Sequence, residues 1–296
     1  MELIYQNARG CGITLETADA VNMLDSWMSP FILTAAQGLY DLRSEAYVID
    51  PPERAGSVLV SNRINRRSIV LEGFIAVNVP ENRRRLTACF SPFEAGWLTL
   101  RRGEAGGVFE RRIGCAAESG LAFDKADGSR FTASLIAPSP WWEDTDGGVA
   151  ANLTGWIGGV AFPWSIVDGF QFGGRASGTT ANVVNPGDVI TGMTIRLFAA
   201  DDVERPAVIR PATGEAMRIT ATLEAGGAFE IGTEAGERYA RYVHADGTTV
   251  GGMRYIDPDS VFLQLEPGDN LLRAEAASGG DALTATVSFK PKYLSV

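Results

Sequence analysis

The stretch LEPGDNLLRAEA, residues 265–276, places a Pro-Gly-Asp-Asn turn between an apolar segment and a segment in which apolar and polar residues alternate. Pro267 fixes φ where the chain enters the turn, and Gly268 tolerates a positive φ. Asp269 or Asn270 can then hydrogen-bond the local backbone. Alternation with a period of two is typical of a strand with one buried and one exposed face. We therefore predict that this turn serves architecture and not chemistry.

A second Pro-Gly-Asp turn lies in VNPGDVITGMTIRL, residues 184–197, and the pattern of alternation recurs along the chain. Further alternating segments are RFTASLI (130–136), MRITATL (217–223) and LTATVSFK (283–290). ADG lies between alternating segments at 126–128 and again at 245–247, and Asp-Gly suits tight hairpin turns. These patterns predict an all-β protein built from antiparallel sheets.

One short helix is predicted over residues 80–90. Asn78 can cap its first turn, and Pro80 suits a position near the start of a helix. The residues Leu86, Cys89 and Phe90 have the i, i+3, i+4 spacing of one apolar stripe.

The length of 296 residues predicts two domains. Prolines, acidic residues and paired glycines interrupt the alternation in APSPWWEDTDGG, residues 137–148. We therefore predict a first domain over 1–140 and a second over 141–296.

Charge and cysteine content restrict the function further. The formal charge of −10 argues against nucleic-acid binding, which needs a basic face. The three cysteines lack C-x-x-C spacing, so we expect small buried thiols in a reducing compartment and neither a disulfide nor a zinc site. Neither a signal peptide nor a membrane-spanning apolar run is visible, so we expect no membrane partner.

Catalytic chemistry finds little support in the sequence. The one histidine, His244, precedes a predicted hairpin turn, and no nucleophile elbow, zinc-protease motif or phosphate-binding loop is present. Glu143, Asp144 and Asp146 beside two tryptophans suggest a glycosidase pair, although a solvated linker is the preferred interpretation. We expect no catalytic residue, no metal site and no cofactor.

Aromatic residues leave one alternative function open. Tryptophans could form a platform that stacks on sugars, although a core or a subunit interface is favoured for them. The candidate sugar contacts are Trp141, Trp142, Trp156 and Trp164. The alternative is therefore a carbohydrate-binding β-sandwich protein that attaches to a host surface.

The order of motifs along the chain resembles the distal tail protein family of long, non-contractile-tailed phages. In the first half the matching segments are NRINRRSIVLEGFIAV (62–77), PENRRRLTACF (80–90), GWLTLRRG (96–103) and SRFTASLIAPSPWWED (129–144). In the second half they are VNPGDVITGMTIRL, ERPAVIRPATGEAMRITATL (204–223) and SVFLQLEPGDNLLRAEA (260–276). Arg210 replaces the asparagine of the family's P-x-I-x-N pattern.

The resemblance implies a tail-tube-like sandwich or barrel domain followed by a galectin-like antiparallel β-sandwich. It also implies that the last strand, 287–294, packs back on the first domain. Family members form a hexameric ring in the virion's tail tip that joins the tail tube protein to tail-associated and receptor-binding proteins. DNA would only pass through the ring lumen, and assembly would take place in the host cytoplasm. The galectin sugar motif is absent, because ADGT follows His244.

Ring closure requires two different patches that meet between neighbouring copies. We place these patches on the hairpins around 60–70 and 101–112, where arginines would face carboxylates across the contact. The candidate interface residues are Arg63, Arg66, Arg67, Arg101, Arg102, Arg111 and Arg112.

Overall fold

The computed structural model describes part of the 296-residue chain. The chain forms two compact units. The described residues are 1–17, 29–53, 55–104, 107–126, 128–145, 148–153, 155–157, 174–176 and 180–296. For residues 104, 155–157 and 174–176 only the backbone is described. Unit 1 comprises Met1–Asp146 and Tyr293–Val296, and unit 2 comprises Gly147–Lys292.

Unit 1 is built from strands and one helix. Its elements are β1 (Glu2–Asn7), β2 (Gly12–Thr17), β3 (Phe31–Gln37), β4 (Ser44–Ile49), β5 (Val58–Ile64), β6 (Arg67–Ile75), α1 (Val79–Cys89), β7 (Ala95–Glu104), β8 (Gly107–Ala117), β9 (Ala122–Phe123), β10 (Arg130–Ala137), β11 (Trp142–Asp144) and β26 (Lys292–Tyr293).

The main sheet of unit 1 closes into a barrel. Ten strands pair in the order β26-β11-β8-β7-β1-β2-β3-β6-β10-β9, and β10 also pairs with β8. This last pairing, Leu135 with Ala117 and Ile136 with Ala116, closes a ring of seven strands. Strands β2 and β3 run parallel, whereas the other pairs with a defined register are antiparallel. Closure removes the open sheet edges that would otherwise recruit another chain.

Alternation along the barrel strands fills its interior with apolar side chains. In β6 the inward residues Arg67, Ile69, Leu71 and Ile75 are buried, while Ser68 and Glu72 are exposed. The strand predicted over 130–136 is confirmed as β10, in which Phe131, Ala133 and Leu135 are buried.

Helix α1 packs Leu86 and Cys89 against the barrel core and ends before Phe90, which is also buried. Asn78 does precede the helix, but its side chain makes no capping hydrogen bond. Its φ of 49° and ψ of 51° are left-handed, whereas a capping side chain normally projects from extended backbone. The predicted cap is therefore wrong.

The expectation that all three cysteines are free is also wrong. Cys11, in the turn between β1 and β2, forms a disulfide with Cys89 at the end of α1, and Cys115 is a buried free thiol. The two bonded residues are 78 positions apart, so no local spacing in the sequence could reveal the pair.

Unit 2 is a β-sandwich. Its strands are β12 (Val149–Asn152), β13 (Gly155–Ile157), β14 (Gly174–Ala176), β15 (Thr180–Asn185), β16 (Thr194–Ala199), β17 (Val203–Glu204), β18 (Ala207–Ile209), β19 (Ala216–Arg218), β20 (Thr222–Leu223), β21 (Ala228–Gly232), β22 (Tyr239–Val243), β23 (Thr249–Gly251), β24 (Gly268–Glu275) and β25 (Leu283–Phe289). Two short 3₁₀ helices span Met253–Tyr255 and Gly280–Ala282.

Two larger sheets enclose the core of unit 2. One has the order β12-β25-β16-β21-β22-β23, and the other has the order β15-β24-β18-β19. Their buried residues, such as Ile195, Val287 and Leu272, form one cluster. The antiparallel sandwich predicted for the second half is therefore confirmed. No helix in the described part of the chain is long and apolar enough to cross a membrane.

Two details of unit 2 differ from the sequence prediction. The segment MRITATL is not one strand, because Thr220 turns away and its backbone N–H donates to the carbonyl of Tyr255. Period-two alternation predicts that Val261 faces inward with Leu263 and Leu265 before the Pro-Gly-Asp-Asn turn, but Val261 is exposed, whereas Leu263 and Leu265 are buried.

Candidate interaction surface

The described residues contain no group of three or more histidine, cysteine or acidic side chains that could hold a metal ion. His244 lies at the turn between β22 and β23, where its backbone N–H donates to Thr248 and its ring packs edge-on against Tyr242 at 4.4 Å. The carboxylate of Asp144 accepts a hydrogen bond from the Tyr293 hydroxyl at 2.9 Å. His244, Asp144 and Tyr293 thus have structural partners within the chain.

Arg67 is part of the interior of unit 1, where it is 3% exposed. Its guanidinium donates to five backbone carbonyls, which belong to Gly38, Leu39, Asp41, Pro140 and Leu294. Burial lowers the pKa of Arg67, and nearby Asp41 acts in the opposite direction. The expectation that Arg67 faces a neighbouring subunit is corrected, since its buried guanidinium donates to five carbonyls of its own unit. The sequence could have predicted this burial, because Arg67 lies an even number of positions from Ile69 and Leu71 and so shares their face of β6.

Arg111 is likewise held inside unit 1. Its guanidinium lies 3.4 Å from the ring centre of Tyr293 and donates to the carbonyl of Ser295 at 2.6 Å. Its Nε lies 3.6 Å from a carboxylate oxygen of Asp144. Burial, followed by the hydrogen bond and the charge of Asp144, raises the pKa of Tyr293 to about 12. Arg111 is therefore an anchor for residues 293–295, and its contact with a second copy stays a prediction.

The other arginines of the β7–β8 hairpin have neighbours within this hairpin. Arg101 forms an ion pair with Glu110 at 3.2 Å. Arg102 lies over the ring of Phe109, and Arg112 lies over the ring of Trp97. These three arginines thus contact aromatic or carboxylate groups of their own chain. Their contact with a second copy stays a prediction.

The β4–β5 hairpin forms the most exposed apolar surface of the described residues. Its two strands make a sheet of their own, and every residue in both strands is exposed. Tyr47 and Leu59 are each 61% exposed. The other exposed large apolar residues of the hairpin are Val48, Ile49, Val58, Val60 and Ile64. We call residues 44–64 the apolar hairpin.

Apolar and charged residues are separated along this hairpin. Near its base Glu45 pairs in register with Arg63, while Ile49 pairs with Val58 beside the connecting loop. The hydroxyl of Ser57 donates to the carboxylate of Asp50 at 2.5 Å and so closes that loop. The outer end is therefore apolar on both faces, and Arg63 and Arg66 are exposed at the base.

Of the four tryptophans considered as sugar contacts, the structure describes the side chains of Trp141 and Trp142. Trp142 is fully buried in the barrel core, and its indole N–H donates to the carbonyl of Leu39 at 3.1 Å. Its proposed role in sugar contact is therefore wrong, because no face of the ring reaches solvent. Trp141 is half-buried. The side chain of Trp156 and all of Trp164 lie outside the described residues.

Comparison with known proteins agrees with the fold. Residues 186–293 match the family model SPP1_Dit, described as "Siphovirus-type tail component, C-terminal domain". A comparison with curated proteins gives no match.

Solved structures of phage proteins resemble the chain over its full length. The crystal structure of SPP1 Dit (gp 19.1), a hub adsorption apparatus protein of phages that infect Gram-positive bacteria, has a TM-score of 0.61 at 12% identity, covering 99% of each chain. A chain of the phage P2 baseplate in its activated conformation with Ca has a TM-score of 0.50 at 12% identity, covering 100% of this chain and 99% of that chain. The fold and the resemblance recognised in the sequence are thereby confirmed.

Proposed function

We propose that the chain is a structural subunit of a phage tail tip, from the premise that residues 186–293 match the model of the siphovirus-type tail component domain. In this role it has no catalytic activity of its own. It is made in the host cytoplasm and becomes part of the virion. The family match and the hub-like fold support this proposal together.

The proposed assembly is a ring of six identical chains. A cyclic ring needs two different patches on each copy, one that projects and one that receives. The apolar hairpin is the projecting patch, because it extends as a separate two-stranded sheet with exposed apolar residues on both faces. We assign the receiving patch to unit 1 of the neighbouring copy.

Exposure of the apolar hairpin is the observation that carries this assignment. An isolated two-stranded hairpin is only marginally stable in water. Contiguous exposed apolar residues mark protein interaction sites, since covering them removes apolar area from water. The unpaired outer edges of β4 and β5 also offer backbone donors and acceptors to another chain. The hairpin is therefore completed by assembly.

The ring would join the tail tube protein to tail-associated and receptor-binding proteins. DNA would pass through the lumen without binding, and the net charge of −10 supports this part of the proposal because like charges repel phosphate. A ring structure with a basic lumen would refute the DNA passage argument.

Light scattering on the purified chain tests the role of the hairpin. We expect a single species of about six chains for the wild type and a monomer for Leu59→Ser. The matched control is Leu271→Ser, which changes a 50% exposed leucine of β24 in unit 2 and leaves the oligomer intact. A wild type that is monomeric at all concentrations, or a Leu59→Ser variant that assembles like wild type, would count against the proposal.

A further inference from the structure

The disulfide between Cys11 and Cys89 joins two separate elements of unit 1. Cys11 lies in the β1–β2 turn, and Cys89 is the last residue of α1, with a Cα–Cα distance of 5.4 Å. Beside them the rings of Tyr5 and Phe90 stack with centroids 4.6 Å apart. The bond therefore fastens the helix to the first strand pair of the barrel.

Asn7 brings the two cysteines together independently of the sulfur–sulfur bond. Its side-chain oxygen accepts a hydrogen bond from the backbone N–H of Cys11 at 3.0 Å. Its amide nitrogen donates to the carbonyl of Cys89 at 3.2 Å. Asn7 is itself buried, so these bonds form away from competing water. The reduced chain thus keeps both thiols adjacent, which gives their reaction a high effective concentration.

The three cysteines differ in accessibility. Cys11 is partly exposed, whereas Cys89 is fully buried. Cys115 is also buried, and burial raises its pKa to about 12. Because the thiolate is the reactive form, Cys115 is inert near neutral pH. Cys11 is therefore the thiol that an outside reagent meets first.

We propose that Cys11 and Cys89 form an oxidation site that takes a low-molecular-weight disulfide of the glutathione type. The Cys11 thiolate attacks one sulfur of the small disulfide, which forms a mixed disulfide and releases one small thiol. The Cys89 thiolate then attacks the Cys11 sulfur and releases the second small thiol. Two protein thiols are oxidised, one small disulfide is reduced, and the two cysteine protons end on the released thiols.

The timing of this reaction rests on the proposed function. A host cytoplasm keeps thiols reduced, while the exterior of a released particle is oxidising. The chain would therefore assemble with both thiols free, and the bond would close after release. Closing a loop of 78 residues restricts the unfolded chain and stabilises unit 1 in the particle.

The chemistry is tested on the purified full chain with glutathione disulfide as the probe. Alkylation and mass spectrometry should find three free thiols in reduced protein and one, Cys115, after oxidation. The melting temperature of unit 1 should rise by about 10 °C. Cys89→Ser should retain one bound glutathione on Cys11, whereas Cys11→Ser should retain none. Cys115→Ser is the matched control and should close the bond like wild type.

Retention of three free thiols after oxidation would overturn the site, as would equal glutathione labelling of Cys11→Ser and Cys89→Ser. Thiol alkylation of infected cells and of released particles tests the timing, with the bond expected only in the particles. A chain that is present in particles but still reduced would overturn the timing. A chain that is absent from particles would instead overturn the proposed function.

Discussion

The side-chain amide of Asn185 donates a hydrogen bond to the backbone carbonyl of Leu265, at 3.2 Å, across 80 residues of sequence. Asn185 also donates to the carbonyl of Val189 and accepts from the N–H of Gly187. It thereby closes the first Pro-Gly-Asp turn and ties it to Leu265, two positions before Pro267 of the second. The two turns therefore serve the same architecture. Strand β15 ends at Asn185, which pairs with Gly268 at the start of the antiparallel strand β24.

Replacing Asn185 should destabilise unit 2. In Asn185→Ala two carbonyls and one N–H lose their buried partner, so we expect a loss of about 2 kcal/mol in the free energy of unfolding. Urea denaturation followed by circular dichroism measures this loss. Val184→Ala is the matched control, because Val184 is 49% exposed on the same strand, has no hydrogen-bonding side chain, and should change stability by less than about 0.5 kcal/mol. Equal losses for the two variants would contradict the role of Asn185.

Arg67→Ala should destabilise unit 1 by about 3 kcal/mol or more, since five backbone carbonyls lose their donor in the interior. Arg67→Lys should recover only part of this loss, because one ammonium group cannot reproduce the fork of a guanidinium. The neighbouring Arg66→Ala is the control and should remain close to wild type in the same denaturation experiment. An Arg67→Ala variant as stable as wild type would contradict this structural role and favour the predicted role of Arg67 in a subunit interface.

Tyr293 should make unit 1 sensitive to alkali. The pKa of Tyr293 is raised to about 12 in the folded chain, from an ordinary value of 10.0. Below pH 10 both states hold the proton, and the stabilisation is complete. Between pH 10 and 12 the unfolded state releases the proton while the folded state keeps it, so stability falls as pH rises.

The test compares Tyr293 with Tyr293→Phe, both in a Cys11→Ser/Cys89→Ser background that excludes alkaline disulfide chemistry. The phenylalanine variant should be less stable at pH 9, because it lacks the hydrogen bond to Asp144. The gap in unfolding free energy should narrow from pH 10 to 12. A gap that stays constant over this range would show that Tyr293 titrates normally in the folded chain.

Salt should affect ring assembly only weakly. Arginines facing carboxylates across the contact would make assembly salt-sensitive, since salt screens exposed charges. Arg67, Arg101 and Arg111 instead have partners in their own chain, and the apolar hairpin carries the proposed contact. We therefore expect the same oligomer in light scattering at about 0.05 M and 0.5 M NaCl. Dissociation at the higher salt would restore the arginine-based interface.

Period-two alternation predicted much of the fold, because burial of one strand face is a local property. It identified the inward residues of β10 and of LTATVSFK, and the Pro-Gly-Asp-Asn turn was assigned its architectural role correctly. Arg67 and Trp142 were missed because each adjoins a similar residue, Arg66 or Trp141, and composition alone does not distinguish the buried member. Strand parity does so for Arg67.

Other features depend on contacts between distant parts of the chain. The Cys11–Cys89 bond joins a turn to a helix end, and no spacing rule covers a separation of 78 residues. The sequence predicts a hairpin around 60–70, which includes only the end of β5. The apolar run SVLV, residues 57–60, is typical of a buried strand when its neighbours in the fold are unknown. Its exposure becomes visible only when the barrel closes without it.

Negative-stain electron microscopy of the purified chain tests the central claim most directly. We expect rings with six-fold symmetry for the wild type, and single particles of monomer size for Leu59→Ser under the same conditions. Monomers alone in the wild-type images, or rings in both samples, would contradict an assembly made through the apolar hairpin.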